Sequence, residues 1–243
     1  MIFGLFKKSK VLDTELLVDI HSHIIPSIDD GAKDMNESIS LLKSMKSLGY
    51  KKLITTPHIM ADTYINTPTI IREGLNRLKL ELKREDISID IECGAEYYLD
   101  DGFSDILKSK DILTIKDRYI LFETSYYAKP IQLEDTIFNI ISMGLTPILA
   151  HPERYRYIKS NHKEYARLKE LGVLFQSNIN SFGGFYGKDA KAKALFLSKE
   201  GYIDFLGSDV HGKRHIDMLS RVLNSNEYRD IFRRNTILNS QLI

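Results

Sequence analysis

Seven short apolar runs recur along the chain, each rich in Val, Ile, Leu, Phe or Tyr: "LLVDIH" (16–21), "KKLITTPH" (51–58), "ISIDIECGAE" (87–96), "YILFETS" (119–125), "TPILAHPE" (146–153), "VLFQSNIN" (173–180) and "IDFLGSDVH" (203–211). Their length fits strands, and their nearly unbroken apolarity fits strands covered on both faces of a parallel sheet. Amphipathic segments fall between them. Over 34–48, Asp34 and Glu37 stand in capping-box spacing, Ile39, Leu42 and Met45 form a stripe, and Gly49 ends the helix. Over 67–84, Thr67-Pro68 opens a helix whose stripe is Ile71, Leu75, Leu78 and Leu82. Weaker helical patterns cover 131–143, 161–171 and 188–200. This alternation predicts an α/β fold, a closed or nearly closed parallel barrel in a single domain over 1–243, with an open doubly wound sheet as the alternative.

The polar residues interrupt this pattern at one place in each run, its end. Run one ends at His21 and His23, run two at His58, run three at Glu96, run four at Glu123 and run five at His151. Run six ends in the uncharged "SNIN", and run seven ends at Asp209 and His211. All strands of a parallel barrel open their C-terminal ends onto one face, so these groups should converge there. Alternation places His21 and His23 on the same side of their strand, and Asp209 and His211 likewise. Each residue alone reads most simply as a hydrogen-bonded structural group. Together, in a partly dry site, so many imidazoles and carboxylates require cations. A nitrogen and oxygen donor set without thiolate suits Zn, Mn or Fe, and its size exceeds the needs of a single ion. Glu96 is the first choice for a bridging carboxylate.

Composition narrows the remaining classes. The 243 residues carry Lys+Arg 34 against Asp+Glu 33, a net charge of +1, so no global field draws nucleic acid or an anionic membrane. A single cysteine, Cys93, suits a reducing cytoplasm. It is expected as a small buried strand residue, and Leu99 occupies the place where a C-x5-R phosphatase needs arginine, so cysteine-based phosphatase chemistry is excluded. "MIFGLFKKSK" is too short for a signal sequence or membrane span, and residues 1–14 are read as a peripheral segment. The C-terminal "RRNTILNSQLI" is expected to pack at the surface. The glycine-bearing "SFGGFYGKD" (181–189) is expected as a mobile rim and matches no phosphate-cradling motif.

"DIHSH", "TTPH", "GAEYY", "LFETS", "AHPERY" and "GSDVHG" resemble, in order and position, motifs of the PHP (polymerase and histidinol phosphatase) metalloenzymes. The narrower likeness, carried by "HSHIIPSIDDGAKDMNES" and "AHPERY", is to bacterial capsule-type protein-tyrosine phosphatases, the CpsB/CapC type. It spans roughly residues 17 to 215. The resemblance implies a distorted seven-stranded β/α barrel, two or three divalent ions, most simply Mn²⁺ with Fe or Zn as alternatives, and a phosphotyrosine protein as substrate. That protein would be the tyrosine-rich tail of a bacterial kinase governing capsule or exopolysaccharide synthesis. Carried over residue by residue, His21, His23, Glu96 and Asp209 would hold one ion. Glu96, Glu123 and His151 would hold a second, and His58, His211 and Asp30 a third, with Asp29 the alternative to Asp30. Arg154 would bind phosphate, Arg214 is a weaker assignment to the same task, and Asp30 or a metal-bound water could protonate the leaving group.

Tyr97, Tyr98, Tyr126, Tyr127, Tyr155 and Tyr157 are candidates for stacking on the substrate ring, Tyr126 foremost, or for plain packing. Two other substrate classes compete with phosphotyrosine. A small metabolite such as histidinol phosphate keeps the chemistry, and an amidohydrolase reaction ranks lower because run four ends in Glu123 rather than a bridging lysine. A monomer and a homo-oligomer are both open.

Overall fold

The computed structural model describes residues 16–109, 111–159 and 163–243. The peripheral segment 1–14, the start of the expected helix 161–171 and His162 fall in whole or in part outside these residues. The strands are β1 (Val18–Asp19), β2 (Lys52–Thr55), β3 (His58–Ile59), β4 (Asp90–Cys93), β5 (Glu96–Tyr98), β6 (Tyr119–Glu123), β7 (Thr146–Ala150), β8 (Leu174–Asn178) and β9 (Phe205–Gly207). The helices are α1 (Met35–Ser47), α2 (Pro68–Arg84), α3 (Phe103–Ser109), α4 (Leu133–Ser142), α5 (Lys163–Glu170), α6 (Ile179–Phe182), α7 (Lys188–Lys199), α8 (Lys213–Val222) and α9 (Asn226–Arg234). This is a mixed α/β fold in which every strand pairing is parallel.

Runs two and three each break into two strands, so the seven expected strands become two sheets, ordered β1-β2-β4 and β3-β5-β6-β7-β8-β9. The breaks have local causes. Pro57 has no amide to give a ladder between β2 and β3. At Gly94, between β4 and β5, a side chain would lie 2.9 Å from Ile115 Cγ1. Hydrogen bonding continues across both gaps, since Gly94 N–H donates to Thr55 O and Glu96 N–H to Pro57 O. Beyond β1 and β9 the chain pairs again, through a parallel bridge between Ser22 and Val210. Below that bridge the buried Asp19 carboxylate accepts from the Ser208 amide at 2.8 Å and its hydroxyl at 2.7 Å.

The helices form where pattern and capping agree. Asp34 accepts from Glu37 N–H and Thr67 from Ile70 N–H, capping α1 and α2. The Glu37 carboxylate reaches back one residue further than the standard box, to Lys33 N–H. α8 and α9 lie where no helix is predicted, although Ser225 caps α9 by accepting from Tyr228 N–H. The C-terminal segment is not a surface appendage. Asn239 is buried, accepting from Leu206 N–H and donating to Leu206 O and Val18 O, while Leu242 enters the apolar cluster of Val18, Ile20, Ile54, Leu121, Ile148 and Phe205. Cys93 is half-buried, and burial pushes its thiol upward from the ordinary value.

Candidate metal centre

Glu96 opens β5, and its carboxylate is almost wholly buried among four imidazoles. Oε2 lies 3.1 Å from His21 Nε2, 3.3 Å from His23 Nε2 and 3.3 Å from His58 Nδ1, while Oε1 lies 3.0 Å from His151 Nε2. Glu123, ending β6, joins from the next strand: Oε1 is 3.3 Å from His58 Nδ1 and Oε2 3.6 Å from His151 Nε2. Burial opposes ionisation of Glu96, yet His21 and His58 hold it well below the carboxylate range; burial and the Glu96 charge push Glu123 well above it.

The ring orientations are set from behind. His21 Nδ1 sits 2.7 Å from Gln176 Oε1, and His23 Nδ1 sits 2.8 Å from Asp29 Oδ2. Both partners accept, so each Nδ1 carries a proton and each Nε2 presents a lone pair whenever its ring is neutral. These two Nε2 atoms face each other at 3.3 Å. His58 Nδ1, buried and without a hydrogen-bond partner, points at oxygens of Glu96 and Glu123. Opposed lone pairs and an orphaned ring nitrogen between carboxylates are what a cation would relieve, so the residues fit a metal. Donor atoms lie within 4.8 Å of one another in three groups: His23, Asp30, His58 and His211; His21, His23 and Glu96; and His58, Glu96 and Glu123.

The chain belongs to the CpsB/CapC family. The family model, described as capsular polysaccharide synthesis, matches residues 17–236. The chain is 34% identical over 196 residues to the tyrosine-protein phosphatase YwqE of Bacillus subtilis, covering 80% of this chain and 77% of that protein. It is 30% identical over 203 residues to the tyrosine-protein phosphatase CpsB of Streptococcus pneumoniae, covering 80% and 83%. A crystal structure from work on these two metal-dependent tyrosine phosphatases superposes with a TM-score of 0.78 at 31% identity, covering 90% of this chain and 96% of the other. An amidohydrolase from Mycoplasma synoviae has a TM-score of 0.52 at 14% identity, a likeness of fold alone.

In this CpsB/CapC member the third group of expected ligands separates the two aspartates. Asp29 is turned inward, accepting from His23 and from His58 N–H at 3.1 Å, so it orients other groups. Asp30 Oδ1 faces outward, 3.5 Å from His58 Nε2 and 3.3 Å from His211 Nε2. Burial raises the Asp30 carboxyl, but His211, with His58 and His23, brings it down to about 2. An ionised Asp30 suits a ligand role. His58 faces Asp30 with one nitrogen and the Glu96–Glu123 pair with the other.

Asp209 follows β9 with φ 50°, and His151 follows β7 with φ 34°, both in the left-handed region that Asp and His tolerate better than most residues. Asp209 Oδ2 accepts from Arg154 Nη1 at 3.0 Å, Asn178 Nδ2 at 2.6 Å and Tyr186 Oη at 3.0 Å. Oδ1 is left facing the histidines, 3.5 Å from His21 Nε2 and 3.3 Å from His211 Nδ1. Arg154 lies between two tyrosine rings, its Cζ 4.7 Å from the Tyr126 centroid and 4.2 Å from that of Tyr186.

The candidate aromatics divide. Tyr97 and Tyr155 are core residues, with Tyr97 accepting from Leu113 N–H and Tyr155 donating to Ala150 O. Tyr157 stacks on Tyr155, and Tyr127 is exposed. Tyr98 and Tyr126 line a cavity of about 470 Å³ over the cluster, together with Arg154. Arg214 is exposed on α8 and does not line it; His215, one residue on, does, stacked on His211 at 5.3 Å. Within 181–189, Ser181 and Phe182 are buried in α6 and Tyr186 is fastened to Asp209, while Gly187, Lys188 and Asp189 are exposed.

Sequence reading passed over Gln176, Asn178, Tyr186, His215 and Tyr64, whose ring stacks on His58 at the cavity. His215 could have been found by its four-residue spacing from His211, and Gln176 only by its place on β8. Gly207 makes room for Gln176, since a side chain there would meet Gln176 Nε2 at 2.5 Å and His21 Cβ at 2.7 Å. Gln176→Leu removes the acceptor behind His21 and should lower metal affinity by about 10- to 100-fold in calorimetric titration; unchanged affinity would show that His21 needs no such support.

Proposed function

We propose that this protein is a metal-dependent phosphatase of phosphotyrosine on proteins. Its natural substrate is the tyrosine-rich tail of a bacterial tyrosine kinase that regulates capsule or exopolysaccharide synthesis, and it acts in the cytoplasm. The described strands are read as a distorted seven-stranded barrel in a single domain; the Ser22–Val210 bridge supports closure. His21, His23, Asp30, His58, Glu96, Glu123, His151, Asp209 and His211 hold two or three ions, most simply Mn²⁺. The observation that carries the reading is one buried carboxylate, Glu96, surrounded by four imidazoles, two of which, His21 and His23, have their outer nitrogens held by acceptors.

When bound, divalent ions here supply positive charge for the phosphoryl oxygens and acidify water into a nucleophile. The chain's own groups do the rest. Arg154 has one nitrogen engaged by Asp209 and its guanidinium flanked by two rings, so it meets a phosphoryl group with its conformational freedom already spent. Tyr126 and Tyr98 border the cavity where a phenyl ring would lie. Asn178 and Tyr186 keep Asp209 Oδ2 occupied, so Oδ1 alone faces the centre. A tyrosyl oxygen has an ordinary pKa near 10 and leaves with little help from an acid.

The direct test is phosphate release from a tyrosine-phosphorylated peptide with and without manganese, beside histidinol phosphate at equal concentration. Selective turnover of histidinol phosphate would overturn the substrate assignment. Arg154→Ala should lower kcat/KM on the peptide by about 100-fold, and Arg154→Lys should recover little of it, because an ammonium cannot fill a bidentate, ring-stacked position. Full activity in Arg154→Lys would reduce its role to simple charge.

A further inference from the structure

A second groove, about 620 Å³, opens beside the cavity over the metal centre and shares Tyr126, Arg154 and Tyr186 with it. The shared residues form a wall common to both, so a peptide whose phosphotyrosine enters the first has neighbouring residues at the second. Beyond that wall the groove presents Arg156 and Lys188. Neither has a carboxylate within ion-pair distance among the described residues, so both charges are free to meet a ligand. The single acid in the lining, Asp189, is already bridged to Lys193 at 2.7 Å. Arg156 is also positioned: its N–H donates to Tyr126 O at 2.7 Å, and its guanidinium lies over the Tyr127 ring, 5.1 Å from the centroid.

We infer that this groove is a subsite for an anionic side chain close to the phosphotyrosine, held by Arg156 and Lys188, an inference that rests on the phosphatase reading above. The shared chemistry is a carboxylate or a second phosphoryl group. An extended peptide advances ~3.3–3.6 Å per residue, so the residues concerned lie within about three positions of the phosphotyrosine. Exposed charge contacts are individually weak, and two of them together give a preference of about three- to tenfold.

The experiment compares kcat/KM, with manganese present, for peptides sharing one phosphotyrosine core and flanked by Ala, Glu, Lys or a second phosphotyrosine. The expected result is a preference of about three- to tenfold for the Glu or doubly phosphorylated peptide over the Ala peptide, shrinking as salt is raised. In Arg156→Ala/Lys188→Ala the ratio should collapse to about one. Because the readout is a ratio within one enzyme, partial loss of folded protein does not move it. Arg156→Glu/Lys188→Glu should turn the preference toward the Lys peptide. Equal turnover of Ala and Glu peptides by the unaltered enzyme, together with no gain from the second phosphotyrosine, would overturn the subsite. So would an anion preference that survives the double substitution. Failure to hydrolyse any of these peptides would instead count against the phosphatase reading.

Discussion

Glu96→Gln should lower kcat/KM on a phosphotyrosine peptide by at least about 1,000-fold, roughly 4 kcal/mol of transition-state stabilisation, and should reduce bound metal in the purified protein. Glutamine fills the same space but removes the charge that four imidazoles surround. His21 and His23 would keep the acceptors behind them, yet all four imidazoles would lose the charge they surround. The backbone has little reason to change, since Glu96 N–H donates to Pro57 O independently of the side chain. Circular dichroism should therefore stay close to that of the unaltered protein while metal content and turnover fall together. A Glu96→Gln enzyme with normal turnover would remove Glu96 from the centre of this scheme.

The residues around Glu96 were legible because parallel strands impose a rule stronger than local propensity: their C-terminal ends share a face. His21, His58, Glu96, Glu123, His151 and Asp209 are spread over the chain, and the strand ends bring them together. The frame itself was less legible. Apolar runs report burial, and burial continues through Thr56-Pro57 and Gly94-Ala95 where the regular strand geometry is interrupted, so runs two and three read as single strands. Gln176 and Asn178 escaped for another reason. Their role depends on a partner 155 residues away in one case and 31 in the other, and uncharged amides in a buried strand carry no charge signal of their own. α8 was hidden because it follows Gly212 with no capping side chain, although Ile216, Leu219 and Val222 form the stripe that buries it.

Stripped of metal, the protein should lose turnover altogether, regain it on adding manganese, and become a protein whose stability falls as pH rises from 6.5 to 9. In the metal-free centre burial opposes protonation of His21, but Glu96 and Asp209 raise it from 6.5 to about 9. His23 is raised well above 6.5 by Asp29 and Glu96 against the same burial. A histidine raised in the folded state stabilises fully below its unfolded value and loses that contribution as pH rises through its folded value. For His21 the interval corresponds to roughly 3 kcal/mol, or ~10 °C in melting temperature for a chain of this size. His151, lowered to about 4 mainly by burial and by Arg154, and His58, lowered mainly by burial, act the other way, but below 6.5, where the unfolded histidines take up protons. Metal binding reverses the slope in the upper window, because cations take the lone pairs that protons would otherwise hold and compete better as pH rises. Thermal melts of chelator-treated and manganese-loaded protein at pH 6.5 and 9 should therefore diverge, the first falling and the second holding or rising. Parallel melts would mean that His21 and His23 do not titrate against the site, and the assignment of their Nε2 lone pairs to a metal would fall with them.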